Sequence, residues 1–187
     1  MKFLDHLEEW LIISLMGFAT LIIFFSVLHR YISGIEIPII QDWFLKQNIG
    51  WAQELTIYMF VWMAKFGAAF GVRTGIHVGV DILINNLNKN TQRIFIIFGL
   101  LAGASFTSIV ALIGLEFVIE LSKTSSTSEV MEIPIWIVYL AIPLGSFLMS
   151  YRFIEVAWTY YKNGKLPDKN KIYDKFNFKK KIEKKQK

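Results

Sequence analysis

The chain has 187 residues, of which 54% are hydrophobic and 19% are charged, with a formal net charge of +5 at pH 7. This composition is typical of an integral membrane protein and excludes a soluble globular one. The absence of cysteine excludes disulfides and thiolate metal sites. The basic excess lies in one C-terminal tail and not on a folded surface, which excludes a nucleic-acid-binding domain.

Four apolar segments are long enough to cross the hydrocarbon core of a bilayer, which takes roughly 20 residues as helix. They are residues 11–28, 51–72, 94–115 and 133–151. The sequence therefore predicts an all-α membrane protein, with a four-helix membrane domain over residues 1–160 and a basic cytoplasmic tail over residues 161–187. Because the first span is too long for a signal-peptide core and no small-residue cleavage pattern follows it, we expect it to remain as an anchor.

The distribution of lysine and arginine predicts the orientation, since basic residues favour the cytoplasmic side of a membrane. The connection between the second and third spans carries three basic residues, and the tail from Arg152 onward carries twelve. The opposite side carries Arg30, Lys46 and Lys123. Both termini are therefore predicted to be cytoplasmic, with the tail beside anionic lipids. Residues 33–50 mix Ile, Trp and Phe with isolated charges, which predicts an interfacial segment after the first span.

The second span is the most informative, because Glu54 and Lys65 are the only charges within the four predicted spans. A lysine or aspartate at the centre of a spanning helix costs about 2.5–3.5 kcal/mol on insertion scales, so such residues usually face protein or water. Lys65 lies roughly 12 Å deeper than Arg73, at about 1.5 Å per residue, and too far from Glu54 to pair with it. Either its ammonium extends toward the cytoplasmic headgroups, or it pairs with another helix or subunit.

Small and polar residues continue along this predicted helix as far as Asp81. Glycines spaced four residues apart would form one ridge on a continuous helix, open to close approach by another helix. They are Gly67, Gly71, Gly75 and Gly79. Arg73, His77 and Asp81 follow at i, i+4 and i+8 and would form one polar stripe at the inner boundary. The pattern predicts either ordinary helix packing with local salt bridges or a contact between subunits.

No pattern predicts a catalytic, cofactor or metal site. His29 falls at the outer end of the first span and His77 beyond the inner end of the second, so roughly 30 Å separates them and they cannot share a haem iron. The hydroxyls of the third span have no histidine or carboxylate at matching depth, which disfavours a hydrolase. Only Pro143 hints at the interrupted helices of a transporter's substrate site, so substrate-binding residues stay unknown.

Four motifs in the second span and its exit resemble a known family. They are Trp51-x-x-Glu54-Leu55, Phe66-Gly67-Ala68-Ala69, Arg73-x-Gly75-x-His77 and Asp81. They are similar to the small integral-membrane subunit of TRAP (tripartite ATP-independent periplasmic) transporters. The length, the four spans and the basic tail look like that subunit over nearly the whole chain. The run GVRTGIHVGVD looks most similar to the C4-dicarboxylate branch.

This resemblance implies a non-catalytic subunit of the bacterial inner membrane that has no cofactor. It would brace a large multi-span subunit that imports organic acids on an ion gradient, after a periplasmic solute-binding protein delivers them. Membrane lipids are the other expected partner, and nucleic acid is not expected. The residues expected to form the interface with the large subunit are Glu54, Lys65, Gly67, Gly71, Arg73, Gly75, His77 and Asp81.

Two alternatives from other classes stay open on the sequence. Four spans and scattered histidines are also compatible with the membrane anchor of a redox enzyme. A small exporter that uses Glu54 as a proton-coupled carboxylate is the second alternative, because an intramembrane glutamate can exchange a proton for a cation. The outer position of Glu54 and the long tail count against the exporter.

Overall fold

A computed structural model describes residues 2–34, 46, 49–75, 88–164 and 166. These residues form five helices, which are α1 (Lys2–Ser33), α2 (Gly50–Thr74), α3 (Lys89–Ser122), α4 (Ile135–Tyr139) and α5 (Ala141–Asn163). Four helical segments are long and apolar enough to cross a membrane, namely His6–Ser33, Gly50–Thr74, Thr91–Ser122 and Ile135–Asn163. The predicted all-α membrane fold with four transmembrane helices is thereby confirmed. Most of the predicted interfacial segment at 33–50 lies outside the described residues.

The helices extend beyond the apolar spans on which their prediction rested. The 32 residues of α1 reach about 48 Å at roughly 1.5 Å per residue, more than the ~30 Å hydrocarbon core requires. Among the aromatic side chains of α1 whose exposure the structure describes, Trp10 and Tyr31 are the most exposed, at 73% and 76%, and they flank the predicted span 11–28. Aromatic residues at this spacing are typical of the two membrane interfaces. The N-terminal turns of α1 therefore project out of the hydrocarbon core.

Pro143, which in the sequence hints at an interrupted helix, does interrupt the fourth span. Pro143 has no N–H to donate to the carbonyl of Tyr139, so the regular helix is broken at Leu140, between α4 and α5. Hydrogen bonding resumes immediately, since the Leu144 N–H donates to the Leu140 carbonyl at 3.2 Å. Pro143 itself is fully buried. The interruption is thus a packed feature of the fold.

The second helix is shorter than the sequence pattern indicates. It ends at Thr74, and Gly75 adopts a left-handed backbone conformation with φ of 76°. The Gly75 N–H donates to the Val72 carbonyl at 3.2 Å, as is common where a glycine terminates a helix. The prediction of a continuous helix to Asp81 is therefore wrong, because the glycine that the pattern placed on a ridge instead ends the helix. His77, Gly79 and Asp81 lie outside the described residues.

The chain divides into two compact units, and the first comprises Met1–Gly67 and Ala111–Gly145. Two glycines permit close helix contacts in it. A Cβ on Gly114 would lie 3.0 Å from the Cγ2 of Ile142, and a Cβ on Gly145 would lie 2.5 Å from the Cβ of Lys65. The contact at Gly145 also involves backbone atoms of Lys65, at 3.2 and 3.3 Å. Helices α2 and α5 therefore approach here to a distance that only glycine allows.

The second unit comprises Ala68–Val110 and Ser146–Lys187, and its core joins α3 to α5. The core consists of Ile96, Leu100, Val156, Ala157 and Tyr160. Beside it, the hydroxyls of Ser108 and Ser150 are hydrogen-bonded at 2.7 Å, and the Ser150 hydroxyl also donates to the Ala104 carbonyl at 3.1 Å. Hydroxyl hydrogen bonds between membrane helices contribute about 0.6 kcal/mol on average, so they supplement the apolar packing.

Two arginines, one near the start of α3 and one in the middle of α5, are held within this second unit. Arg93 donates from Nη2 to the Tyr161 carbonyl at 2.7 Å and lies over the Tyr161 ring. Arg152, which the sequence analysis counted with the tail, instead lies in α5 and is 1% exposed. Its Nη1 atom is 2.5 Å from Oε2 of Glu155. Because α5 continues to Asn163, Arg152 lies within this helix and before the predicted tail at residues 161–187.

Candidate functional site

Glu54, on the second turn of α2, holds the connection between α3 and α4. Its Oε2 atom accepts hydrogen bonds from two consecutive backbone amides, Val130 N–H at 3.1 Å and Met131 N–H at 2.8 Å. Its Oε1 atom accepts the hydroxyl hydrogen of Tyr58, one helical turn further along α2. Both carboxylate oxygens are therefore engaged within the chain. This arrangement disfavours the exporter alternative, in which the carboxylate must be free to exchange its proton for a cation.

The connection that Glu54 holds is itself ordered by local hydrogen bonds. Ser128 is buried; its N–H donates to the Ile133 carbonyl at 2.9 Å, and its hydroxyl accepts the Ile133 N–H at 3.2 Å. An isolated antiparallel bridge pairs Thr127 with Pro134. Glu132 adopts a left-handed φ of 54°, which reverses the chain between these pairs. The carboxylate of Glu54 thus closes a small, defined loop at one end of α2.

Lys65 lies eleven residues after Glu54 on α2, about 16 Å further along the helix. Its Cβ and backbone face the bare Cα of Gly145, and the residue is half-buried. Among the residues that the structure describes, none forms a hydrogen bond or ion pair with its ammonium group. The predicted separation from Glu54 agrees with this arrangement, since the two residues do not pair.

Three further residues of the predicted interface are described by the structure, each with its own surroundings. Gly67 faces open space, because a Cβ there would meet nothing within 4 Å, whereas Gly71 is buried. The guanidinium of Arg73 lies 5.2 Å from the centroid of the Phe70 ring. The stripe of Arg73, His77 and Asp81 was predicted from helical spacing. Because α2 ends at Thr74, that spacing does not continue beyond Arg73. Their participation in an interface stays a prediction.

Several residues that position this region were missed in the sequence analysis. Tyr58 follows Glu54 at i+4, a spacing that does indicate a side-chain pair on a helix. The amides of Val130 and Met131 carry no sequence signal, because any residue but proline supplies an N–H. Gly145 stands only two residues after Pro143, yet nothing in the sequence indicates that it faces Lys65. Such pairings arise only when the helices are packed together.

The described residues contain no group of three or more His, Asp or Glu side chains able to hold a metal ion. The Glu54 carboxylate and the Ser108 and Ser150 hydroxyls instead form hydrogen bonds within the chain. In an apolar environment, where an unpaired polar group is costly, this chemistry fixes helices and loops in place.

Comparison with known proteins decides the family. Residues 19–163 match the family model described as "Tripartite ATP-independent periplasmic transporters, DctQ component". The chain belongs to the DctQ family. It is 47% identical over 186 residues to the "C4-dicarboxylate TRAP transporter small permease protein DctQ" of Rhodobacter capsulatus, covering 89% of this chain and 82% of that protein. A Vibrio cholerae serotype O1 protein of the same name is 31% identical over 182 residues, covering 84% and 72%.

Membership of the DctQ family confirms the resemblance seen in the second span and its exit. It makes the chain the small permease component of a TRAP transporter, a bacterial inner-membrane protein and not an enzyme. The matched region contains α2 to α5 and the second half of α1, so the Glu54 loop contact and Lys65 both lie inside it. Because the chain belongs to a family of transporter components, the alternative that it anchors a redox enzyme is not supported.

Proposed function

We propose that this DctQ-family chain braces the large multi-span subunit of a TRAP transporter that imports C4-dicarboxylates on an ion gradient. A periplasmic solute-binding protein delivers the substrate to this complex. The observation that carries the proposal is the 47% identity, over most of both chains, to a small permease named for C4-dicarboxylates. The fold supports a bracing role, because in the first unit the Glu54 carboxylate holds a loop and Gly145 allows α2 and α5 to pack closely.

Deletion of the gene tests this function. We expect uptake of radiolabelled succinate, a C4-dicarboxylate, to fall to background and to return when the intact chain is supplied from a plasmid. A strain lacking the large subunit gives the reference level for complete loss. Uptake that is unchanged in the deletion strain would contradict a required role. A loss of monocarboxylate uptake with succinate uptake intact would contradict the proposed substrate class.

We also propose that both termini are cytoplasmic and that the loop between α3 and α4 faces the periplasm, on the basis of the lysine and arginine distribution. The lack of native cysteine makes the measurement direct. A Thr124→Cys variant should react with a membrane-impermeant maleimide in intact cells, whereas Lys162→Cys should react only after the membrane is opened. Both positions are exposed in the fold. The reverse labelling pattern would contradict the orientation.

A further inference from the structure

We propose that Lys65 forms an ion pair inside the membrane with a carboxylate on a transmembrane helix of the large subunit. The inference rests on the proposed function, since it needs a second membrane subunit beside α2. It assigns a binding role to a single side chain and specifies the chemistry of the group that meets it.

The backbone and Cβ of Lys65 lie in a close contact between α2 and α5 within the first unit. Its Cβ would be 2.5 Å from a Cβ on Gly145, so the two helices approach too closely here for a larger residue at position 145. The residue lies nine positions before the end of α2 at Thr74 and fifteen after its start at Gly50. It is therefore near the middle of a helix that crosses the membrane. Lys65 is half-buried, and its ammonium group is not fully enclosed by the chain.

Extension of the side chain to the membrane surface does not satisfy this charge. Lys65 is seven residues from the end of the apolar span at Val72, or about 10 Å from that boundary. The Cα–Cβ bond of a helical residue tilts toward the N-terminus of its helix, which here is the more distant boundary. The stem thus starts in the wrong direction for the headgroups. A lipid phosphate stays at the membrane surface and therefore does not lie at the depth of this ammonium group.

The chain itself supplies no counter-charge among the residues that the structure describes. Glu54 is about 16 Å away along the helix and is occupied by two loop amides and a tyrosine hydroxyl. Charged groups within membrane helices normally pair with one another. A carboxylate on a helix of a partner subunit meets both requirements, because it carries the opposite charge and can be placed at the same depth.

Quantitative co-purification tests the proposal. The tagged chain and the large subunit are expressed together, solubilised in a mild detergent and purified on the tag, and the ratio of the two subunits is measured by mass spectrometry. The Lys65→Met variant removes the charge and keeps a stem of similar length. We expect it to recover at least about tenfold less large subunit than the intact chain, as truncation of a buried charge pair implies.

Two matched variants separate charge from other effects. Lys65→Arg keeps the positive charge, so it should recover clearly more large subunit than Lys65→Met does. Lys123→Met removes an exposed loop lysine and should leave the ratio unchanged. Because loss of a charge from a spanning helix favours insertion, the abundance of the Lys65→Met chain in the membrane should not fall.

The outcomes distinguish this inference from the function on which it rests. Recovery of the large subunit by Lys65→Met at the level of the intact chain would overturn the ion pair and leave the subunit assignment standing. If the intact chain recovers no large subunit, the proposed function itself is contradicted.

A second measurement needs no variant. Dicyclohexylcarbodiimide enters membranes and joins an amine to a carboxylate in direct contact. In membranes holding the intact complex, we expect it to link the Lys65 peptide to a membrane-spanning peptide of the large subunit. A link to a carboxylate of this chain instead would overturn the proposal.

Discussion

A Gly145→Leu variant is expected to unfold at a temperature roughly 6–12 °C lower than the intact chain in detergent, which corresponds to about 3 kcal/mol in a protein of this size. The reason is steric. A Cβ at this position would lie 2.5 Å from the Cβ of Lys65 and 3.2 Å from its carbonyl carbon. Neither atom is the free end of a flexible side chain, so the helices must separate. The midpoint of thermal unfolding can be measured by circular dichroism or by the change in intrinsic fluorescence.

Gly99→Leu is the matched control for this prediction. It makes the same chemical change in α3, where an added Cβ would meet nothing within 4 Å. Its unfolding midpoint should stay within about 2 °C of the intact chain, since it adds apolar surface on an exposed helix face without a clash. Equal midpoints for Gly145→Leu and Gly99→Leu would show that the contact between α2 and α5 is not as close as described.

The second large effect is expected from Glu54→Ala, which removes the acceptor of three hydrogen bonds. Two of the donors are the consecutive amides of Val130 and Met131, and the third is the hydroxyl of Tyr58. Hydrogen bonds to a charged group contribute about 1.5–3 kcal/mol each, and water can replace part of this because the loop is partly exposed. We expect a net loss of about 2 kcal/mol, concentrated in the loop.

Hydrogen exchange followed by mass spectrometry measures this loss where it occurs. A loss of about 2 kcal/mol of local stability corresponds to roughly 30-fold faster exchange. We expect this increase for the peptide that covers Val130 and Met131 in Glu54→Ala. Tyr58→Phe leaves the loop amides paired and should have a smaller effect. Glu120→Ala, which removes an exposed carboxylate of α3, serves as the control. Unchanged loop exchange in Glu54→Ala would refute the role assigned to this carboxylate.

The sequence predicted the architecture because the membrane imposes a simple rule on it. Apolar runs of about 20 residues must form helices, since no water is present to satisfy the backbone. The break in the fourth span also followed from one residue, because Pro143 cannot donate an N–H. The end of α2 was mispredicted since glycine is compatible with both a helical ridge and a left-handed helix terminus, and spacing alone favoured the ridge.

The candidate site was predicted only in part, for a different physical reason. Charges in an apolar span identified Glu54 and Lys65 as residues that need partners, since unpaired charges are costly there. The partners of Glu54 are backbone amides 76 and 77 residues further along the chain, and no composition or periodicity indicates them. The glycine against Lys65 is likewise defined by helix packing. Sequence thus indicated which groups required contacts, and the fold determined what the contacts are.

The most direct test of the central claim is the composition of the complex that the intact chain forms in its native membrane. Purification on a tag in mild detergent, followed by mass spectrometry, is expected to recover one large multi-span protein at near-equal abundance. That result would agree with a small permease subunit that braces a larger one. Recovery of the chain alone, or together with a redox enzyme, would contradict the account.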